Sequence, residues 1–372
     1  MDDPIRAYAV LALRLERRFA PGEWVLDYRG PEEWRDDAER PGDPGGAAEE
    51  LVRALGAVPG RRGEWMREQA GALAVMARRC AGADVPFTDL VRGVLGVEPA
   101  WVPDEEFEEA YELLDRALPG GRGSLRARLQ KWRAAHLVPP ARARNLIETA
   151  VREALERTRA LVPLPGDVRV DCAYAPGPFR GLHRGGSRGT VFLDRDAPFN
   201  AADLLYVVTH EAFPGHIAEF LLKDRLMPER TELKVRFLPA PAYVISEGIG
   251  LHALSVAFPD DEAERWLVDY VPEVGPDRGD LAALHRARNL LWAAWGNAAL
   301  LTARGRPDGE VRAYLADTAL FTDDEAAAAT AYLGPYVFAY QHGFRLLDGR
   351  TGDPAFVRSL LTEQVTLGEL TG

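Results

Sequence analysis

Two histidines and a glutamate in the second half of the chain have the types of a metal-dependent hydrolytic site. Residues 209–216 read THEAFPGH, so Glu211 follows His210 directly and His216 lies six positions after His210. Zinc peptidases pair two histidines four residues apart on one helix, with a glutamate beside the first as general base. Six steps of about 100° would place His216 about 120° away from His210. A regular helix therefore cannot bring these two imidazoles together.

The residues between the histidines offer a way around this difficulty. Pro214 lies four residues after His210, where it lacks the N–H that would bond the His210 carbonyl and where its ring clashes with that carbonyl. Gly215 can adopt backbone angles that other residues avoid. We predict a helix interrupted at this Pro-Gly pair, which returns His216 to the face of His210. The alternative is a buried histidine beside a helix end, with no chemistry.

A third candidate ligand lies about 30 residues downstream, in SEGIGLH (246–252). Catalytic zinc sites commonly complete two histidines with a carboxylate and keep a fourth position for water. Glu247 suits this role, because its neighbours are apolar and a buried carboxylate needs a partner. Gly248 and Gly250 would allow a close helix approach or make room for a ligand. The alternative for Glu247 is a solvated position on a helix face.

These segments resemble a known bacterial family. THEAFPGHIAEF (209–220) resembles the HExxPGHH signature of the family called domain of unknown function 885, and residues 247–250 resemble its EGxA run. A late Y-x-x-G is similar to residues 340–343, and further segments resemble the shorter actinobacterial branch, so the resemblance covers nearly the whole chain. The chain departs from the pattern at Ile217, Gly250 and His252, where the family usually has histidine, alanine and often tyrosine.

The resemblance implies a zinc-dependent hydrolase. We predict Zn²⁺ as the cofactor, held by His210, His216 and Glu247. Bound zinc lowers the pKa of a water to about 7, and Glu211 would take the proton of the attacking water. Three further catalytic candidates are Tyr340, His252 and His342. Tyr340 is the first choice as donor to the oxyanion, because a phenol with a pKa of about 10 donates while neutral; the alternative is a core tyrosine.

Substrate contacts are predicted near the strand at 189–194, which precedes the metal helix. Zinc peptidases with this order bind an extended substrate along a sheet edge. Arg180, Arg184 and Arg188 flank the strand and could pair with a substrate carboxylate, since guanidinium binds carboxylates in a bidentate manner. The alternative is that these arginines only solvate a turn.

The elements around these residues are mostly helical. Helical periodicity is predicted over 5–19, 64–80, 103–118 and 140–162, and again from residue 200 onward. Residues 167–175 and 189–194 alternate as strands with turns between them, and 30–46 is predicted to be a polar loop. The sequence predicts a mainly α fold of helical zinc-metallopeptidase-like architecture, with one small sheet before the metal-binding helix. We expect an N-terminal helical region at 1–165 and a catalytic region at 166–372, forming one continuous unit.

Composition excludes several classes of partner. The 372 residues carry a formal net charge of −12, which disfavours binding to nucleic acid or to an anionic membrane. No apolar run approaches the roughly 20 residues that cross a bilayer, and the N-terminus begins with acids, so we expect a cytoplasmic protein. Two cysteines, Cys80 and Cys172, offer neither a disulfide framework nor a thiolate site.

The sequence thus predicts a zinc-dependent hydrolase that cleaves a peptide or related amide bond. Two alternatives stay open. One is a metal-dependent amide or ester hydrolase of a small-molecule pathway. The other is a metal-free binding protein that has kept the fold and lost the chemistry.

Overall fold

Helices make up most of the computed structural model, which describes residues 3–19, 23–275 and 278–372. The helices before the main sheet are α1 (Pro4–Glu16), α2 (Glu33–Glu39), α3 (Pro44–Leu55), α4 (Gly60–Cys80), α5 (Phe87–Leu95), α6 (Glu108–Ala117), α7 (Leu125–Ala135) and α8 (Pro140–Leu161). Those after it are α9 (Leu204–Glu211), α10 (His216–Leu226), α11 (Pro241–Ala257), α12 (Glu262–Tyr270), α13 (Leu281–Leu290), α14 (Trp292–Ala303), α15 (Asp308–Thr318), α16 (Asp323–Thr330), α17 (Val337–Leu347), α18 (Pro354–Thr362) and α19 (Leu367–Thr371). The mainly α fold class is confirmed.

The predicted helices are found close to their predicted bounds. The periodic segments 5–19, 64–80 and 140–162 correspond to α1, α4 and α8, and 103–118 is a 3-10 turn (Asp104–Phe107) followed by α6. The predicted loop at 30–46 is wrong in part, because it contains α2 and the start of α3. Asp43 accepts hydrogen bonds from two backbone N–H groups of the first turn of α3, and Pro44 fits that turn.

Within the described ranges, the strands are short and form three small sheets. They are β1 (Val25–Tyr28), β2 (Leu137–Val138), β3 (Arg169–Tyr174), β4 (Arg180–Gly185), β5 (Arg188–Leu193), β6 (Phe199–Asn200) and β7 (Val235–Leu238). The main sheet has the order β3-β5-β4, with β5 parallel to β3 and antiparallel to β4. Two antiparallel pairs, β1-β7 and β2-β6, join distant segments of the chain. The small sheet predicted before the metal-binding helix is confirmed as β3-β5-β4, and the two short pairs are additional to that prediction.

The main sheet also corrects the predicted substrate edge. The two predicted strands are confirmed as β3 and β5, but β5 lies in the centre and has neighbours on both sides. The edge strands are β3 and β4, and the sequence of β4, RGLHRG, lies in the segment predicted as turns because its glycines and arginines conceal the alternation. β4 packs against α10 and α9, so it borders the predicted catalytic helices.

The described residues form two large apolar clusters that meet near α9, α10 and α11. One includes Val208, Phe213 and Ile217 from the predicted metal segment, and the other includes Val244 and Ile249 beside the predicted carboxylate. Each cluster contains residues from before and after position 165, and the domain division stays a prediction. Within the described residues, no helix is long and apolar enough to span a bilayer.

Candidate metal centre

The two histidines of THEAFPGH converge because the helix is interrupted between them. α9 ends at Glu211 and α10 begins at His216. The imidazole rings of His210 and His216 lie 4.8 Å apart between centroids, at an angle of 89°. Gly215 has φ −69°, so it does not use the left-handed region. A Cβ at this position would lie 1.7 Å from the His210 carbonyl oxygen. The predicted interruption is confirmed, and glycine is required there for space.

Glu247 on α11 faces both imidazoles. Its Oε2 lies 3.2 Å from Nε2 of His210, and its Oε1 lies 3.7 Å from Nε2 of His216. Gly250, one turn further along α11, makes room for the first ring, since a Cβ there would lie 2.7 Å from Nδ1 of His210. The structure thus brings three predicted ligands together.

All three of these side chains are almost completely buried. The exposed fraction is 10% for His210, 11% for His216 and 4% for Glu247. Burial lowers the pKa of both histidines, so neutral imidazoles with free lone pairs are favoured. Burial also raises the pKa of the Glu247 carboxyl, which the nearby His216 opposes.

Glu211 lies beside this cluster but has a different partner. Its Oε1 is 3.9 Å from Nε2 of His210, while its Oε2 accepts a hydrogen bond of 2.6 Å from the backbone N–H of Gly181 in β4. Burial raises the pKa of Glu211 to about 7, and the Glu247 carboxylate adds to this effect. The second carboxylate is therefore held by the sheet edge, with a pKa near neutrality.

The donor set fits a zinc ion. Ligand atoms about 2.0–2.2 Å from a tetrahedral zinc lie roughly 3.3–3.6 Å from one another, close to the two separations from Glu247. Oε2 of Glu247 is buried and has no hydrogen-bond partner among the described residues, although it faces an imidazole nitrogen. Donor atoms of His210, Glu211 and His216 also lie within 4.8 Å of one another. These residues can together hold a metal ion.

Three hydroxyl and carboxylate partners around the cluster were missed from the sequence. The Tyr336 hydroxyl donates a hydrogen bond to Oε1 of Glu247. Nδ1 of His216 is 3.0 Å from Oγ of Ser246, which donates to Oε2 of Glu219 at 2.6 Å. Glu219 lies three residues after His216, and Ser246 precedes Glu247 directly. Their positions beside the ligands were the only available signal.

Tyr340 lies in α17, four residues after Tyr336, which directly precedes that helix. Its ring stacks on Trp292 at 4.1 Å and meets Tyr336 edge-on at 5.5 Å. Burial and then the charges of Glu247 and Glu211 raise its pKa well above the usual value, which leaves the phenol protonated. The oxyanion role of Tyr340 stays a prediction.

Two predicted catalytic histidines lie apart from the cluster. Nε2 of His252 is 3.0 Å from the Phe344 carbonyl oxygen, and the two rings stack at 4.8 Å. His342 bonds the backbone at Glu98, and its ring lies 6.4 Å from that of Phe338. The structure therefore does not bring His252 or His342 to the predicted metal ligands.

The predicted arginines lie around β4 and β5. Arg180 donates to the carbonyls of Pro176 and Pro178, and its charge acts on Glu211. Arg184 donates to Thr190 at 3.2 Å. Arg188 is exposed at the start of β5. Of the three, Arg180 is the one with an electrostatic effect on a predicted catalytic group.

Ile217, at the position where the signature that this segment resembles has a second histidine, packs against the main sheet. The side chain is fully buried, and a Cβ at Gly189 of β5 would lie 2.8 Å from its Cγ2. Position 217 therefore faces the apolar contact between α10 and β5, and the imidazole pair is formed by His210 and His216.

A cavity of about 580 Å³ lies beside the first turn of α9. Large aromatic side chains line it, namely Trp132, Trp292, Trp295, Phe321 and Tyr332. Charged residues along it are paired, with Arg288 3.1 Å from Asp203 and Arg133 2.9 Å from Glu325. Trp292, which lines the cavity, also stacks on Tyr340, so one aromatic contact connects the cavity lining with the predicted oxyanion donor.

Comparisons with known proteins inform the fold. No family model matches the chain, and no curated protein matches it. The chain is similar to the crystal structure of a candidate lipoprotein from Colwellia psychrerythraea, with a TM-score of 0.54 and 12% identity over 88% of this chain and 65% of that one. It thus spans less than two thirds of that protein's length. A second similar structure is the apo-Mg form of a Pyrococcus furiosus carboxypeptidase, with a TM-score of 0.41 and 13% identity over 94% of this chain and 71% of that one.

The first of these likenesses shows a shared fold alone. The resemblance to the domain of unknown function 885 family stays a prediction from the sequence.

Proposed function

We propose that this protein is a zinc-dependent hydrolase that cleaves a peptide or related amide bond. One observation carries the proposal. Two buried imidazoles and the Glu247 carboxylate face one another at 3.2 and 3.7 Å, and the Oε2 atom among them has no hydrogen-bond partner in the described residues. A buried carboxylate is costly without a compensating partner, and a bound cation supplies one.

The two carboxylates differ in a way that assigns their roles. Glu247 comes nearer to the imidazoles than Glu211 does, and its Oε2 is free to bind a metal. One carboxylate oxygen of Glu211 accepts a hydrogen bond from the Gly181 N–H, and burial raises the pKa of Glu211 to about 7. We assign Glu247 as the third ligand beside His210 and His216, and Glu211 as the general base.

A zinc ion bound there would lower the pKa of a water and polarise the substrate carbonyl. The residues of the chain would then move the proton. A base with a pKa near 7 is well suited to this task at neutral pH, because it is partly ionised and still basic. Glu211 takes the proton from the attacking water and returns it to the leaving amine.

Groups around Glu211 would bind the substrate. Tyr340 donates to the oxyanion that develops at the carbonyl. β4 is an edge strand beside Glu211, and its backbone groups other than the Gly181 N–H would pair with an extended peptide. Arg180 is the best placed of the arginines to pair with a substrate carboxylate.

A second candidate function has support from the cavity. Its volume of about 580 Å³ is in the range of small-molecule sites, and its aromatic walls suit a bulky apolar group. This favours an amide or ester hydrolase acting on one small molecule with such a group.

Metal analysis and substrate profiling test the proposal. Protein purified without chelators should contain about one zinc per chain by mass spectrometry, as three protein ligands and an open position require. A peptide library and a set of aromatic acyl amides and esters, each assayed with and without a chelator, should reveal chelator-sensitive cleavage. Protein that takes up no zinc when zinc is supplied would instead support the metal-free binding protein.

A further inference from the structure

A chain of hydrogen bonds connects His216 with a buried ion pair on the same helix. Nδ1 of His216 is 3.0 Å from Oγ of Ser246, and Oγ is 2.6 Å from Oε2 of Glu219. The other oxygen, Oε1 of Glu219, is 2.7 Å from Nζ of Lys223. Ser246 and Glu219 are 1% and 2% exposed, so bulk water does not compete for these bonds.

The direction of each bond follows from the chemistry of its groups. The Lys223 ammonium can only donate, and the Glu219 carboxylate accepts from it and from Ser246. A serine hydroxyl has a single proton, which Ser246 gives to Glu219. The Ser246 oxygen can therefore only accept from His216, which requires a proton on Nδ1.

We propose that Glu219 and Ser246 are positioning residues that hold His216 in the tautomer protonated at Nδ1. The Nε2 lone pair then points toward Glu247, as a metal ligand must. Without these partners the opposite tautomer would be favourable, since an N–H at Nε2 would face a carboxylate 3.7 Å away. The purpose of this arrangement rests on the proposed metal site, but the tautomer itself exists without metal.

The Glu219→Gln variant tests this tautomer assignment directly, because Lys223 determines the orientation of the new side-chain amide. The ammonium takes the amide oxygen, so the amide nitrogen faces Ser246 and donates to it. Ser246 must then donate to Nδ1 of His216, which moves the ring proton to Nε2. Nitrogen-15 NMR of histidine-labelled, metal-free protein distinguishes the two tautomers, and the His216 signal is identified by its loss in His216→Gln.

We expect the parent to show a proton on Nδ1 and Glu219→Gln to show it on Nε2. In Glu219→Gln/Lys223→Met the amide can rotate, so the Nδ1 proton should return. Ser255→Ala is the control, since the Ser255 hydroxyl lies on α11, as Ser246 does, but donates to the His252 carbonyl at 3.0 Å. A parent protonated at Nε2, or a Glu219→Gln variant with an unchanged tautomer, would overturn the proposal.

Zinc affinity gives a second readout. Loss of a partner of a ligating histidine typically weakens metal binding about 10- to 100-fold, so Glu219→Gln should do so and the double variant should recover. A switched tautomer with unchanged affinity would overturn the positioning role.

If Glu219→Gln does not fold, Ser246→Ala decides, because both tautomers should then be populated and a pure Nδ1 form would contradict the proposal. A parent with the Nδ1 proton that binds no zinc would contradict only the proposed function.

Discussion

The backbone N–H of Gly181 donates a hydrogen bond of 2.6 Å to Oε2 of Glu211, across the gap between β4 and the end of α9. A Cβ at position 181 would lie 2.3 Å from the Glu211 carbonyl oxygen, so only glycine allows this approach. The bond fixes one carboxylate oxygen and leaves Oε1 on the side of His210. The main sheet therefore orients the proposed base.

Glu211→Gln should keep zinc and lose hydrolysis. The amide has nearly the same shape and cannot take a proton, and loss of a general base typically costs about 10²–10⁴ in rate. Zinc content and kcat on any substrate found by profiling are the measurements. Loss of metal together with activity would make Glu211 a ligand or a structural residue.

Gly181→Ala should lower kcat while zinc stays bound. The added methyl group displaces β4 from α9 and breaks the bond that orients Glu211, and misplaced catalytic groups can cost about 10²-fold in rate. Gly166→Ala is a matched control, because a Cβ there would meet no atom within 4 Å. Equal kcat in the two variants would contradict a role for the sheet in orienting the base.

His210→Ala, His216→Ala and Glu247→Ala should each abolish zinc binding. Each removes one of three protein ligands, and two remaining ligands do not form a stable catalytic site. Zinc per chain after dialysis against a zinc buffer is the measurement. Full occupancy in His216→Ala would show that the interruption at Pro214 does not serve to form the site.

Tyr340→Phe and Tyr336→Phe should affect different properties, namely turnover and zinc affinity. Loss of an oxyanion donor at Tyr340 lowers kcat by about 10²–10³ with zinc affinity unchanged. Tyr336 donates to Oε1 of Glu247, so its loss should weaken zinc binding about 10- to 100-fold. Measuring kcat, KM, zinc affinity and Tm for both separates them. A Tyr340→Phe kcat within about threefold of the parent would end its proposed role, being far less than one such donor supplies.

His183 should make the fold sensitive to acid. Burial and then the adjacent Arg29 lower its pKa to about 4, and the ring is fully buried between that guanidinium and the Gly186 carbonyl. Between pH 6.5 and about pH 4, His183 is protonated in the unfolded chain and neutral in the folded protein. The free energy of unfolding therefore falls as the pH falls through this window. Relative to His183→Gln, which keeps both hydrogen bonds, the parent should lose about 2–3 kcal/mol between pH 7 and 4.5. Urea unfolding at the two pH values measures this, and parallel changes would contradict it.

The convergence of His210 and His216 was predictable because proline and glycine break a helix by local rules. Glu247 was predictable because a glutamate among apolar residues needs a partner. The contribution of Gly181 was not, because it depends on how β4 packs against α9. Glu219 and Ser246 could not be assigned either, since nothing local shows that α10 and α11 face each other there.

The fold shows the same division between local and distant signals. Helical periodicity found α1, α4 and α8, and alternation found β3 and β5. The pairing of β1 with β7 joins residues more than 200 positions apart and leaves no local pattern. β4 is hidden in the sequence because its two glycines, of which Gly181 allows the close approach to Glu211, are also typical of turns.

The contact between α11 and α17 has a consequence for engineering this protein. A Cβ at Gly248 would lie 2.5 Å from the Gly343 carbonyl oxygen, so the two helices touch backbone to backbone. One of them carries Glu247 and the other carries Tyr340. A larger residue at either glycine would move the proposed metal-binding carboxylate and the proposed hydroxyl donor apart in a single step. Engineered variants of this protein should therefore leave this helix crossing unchanged.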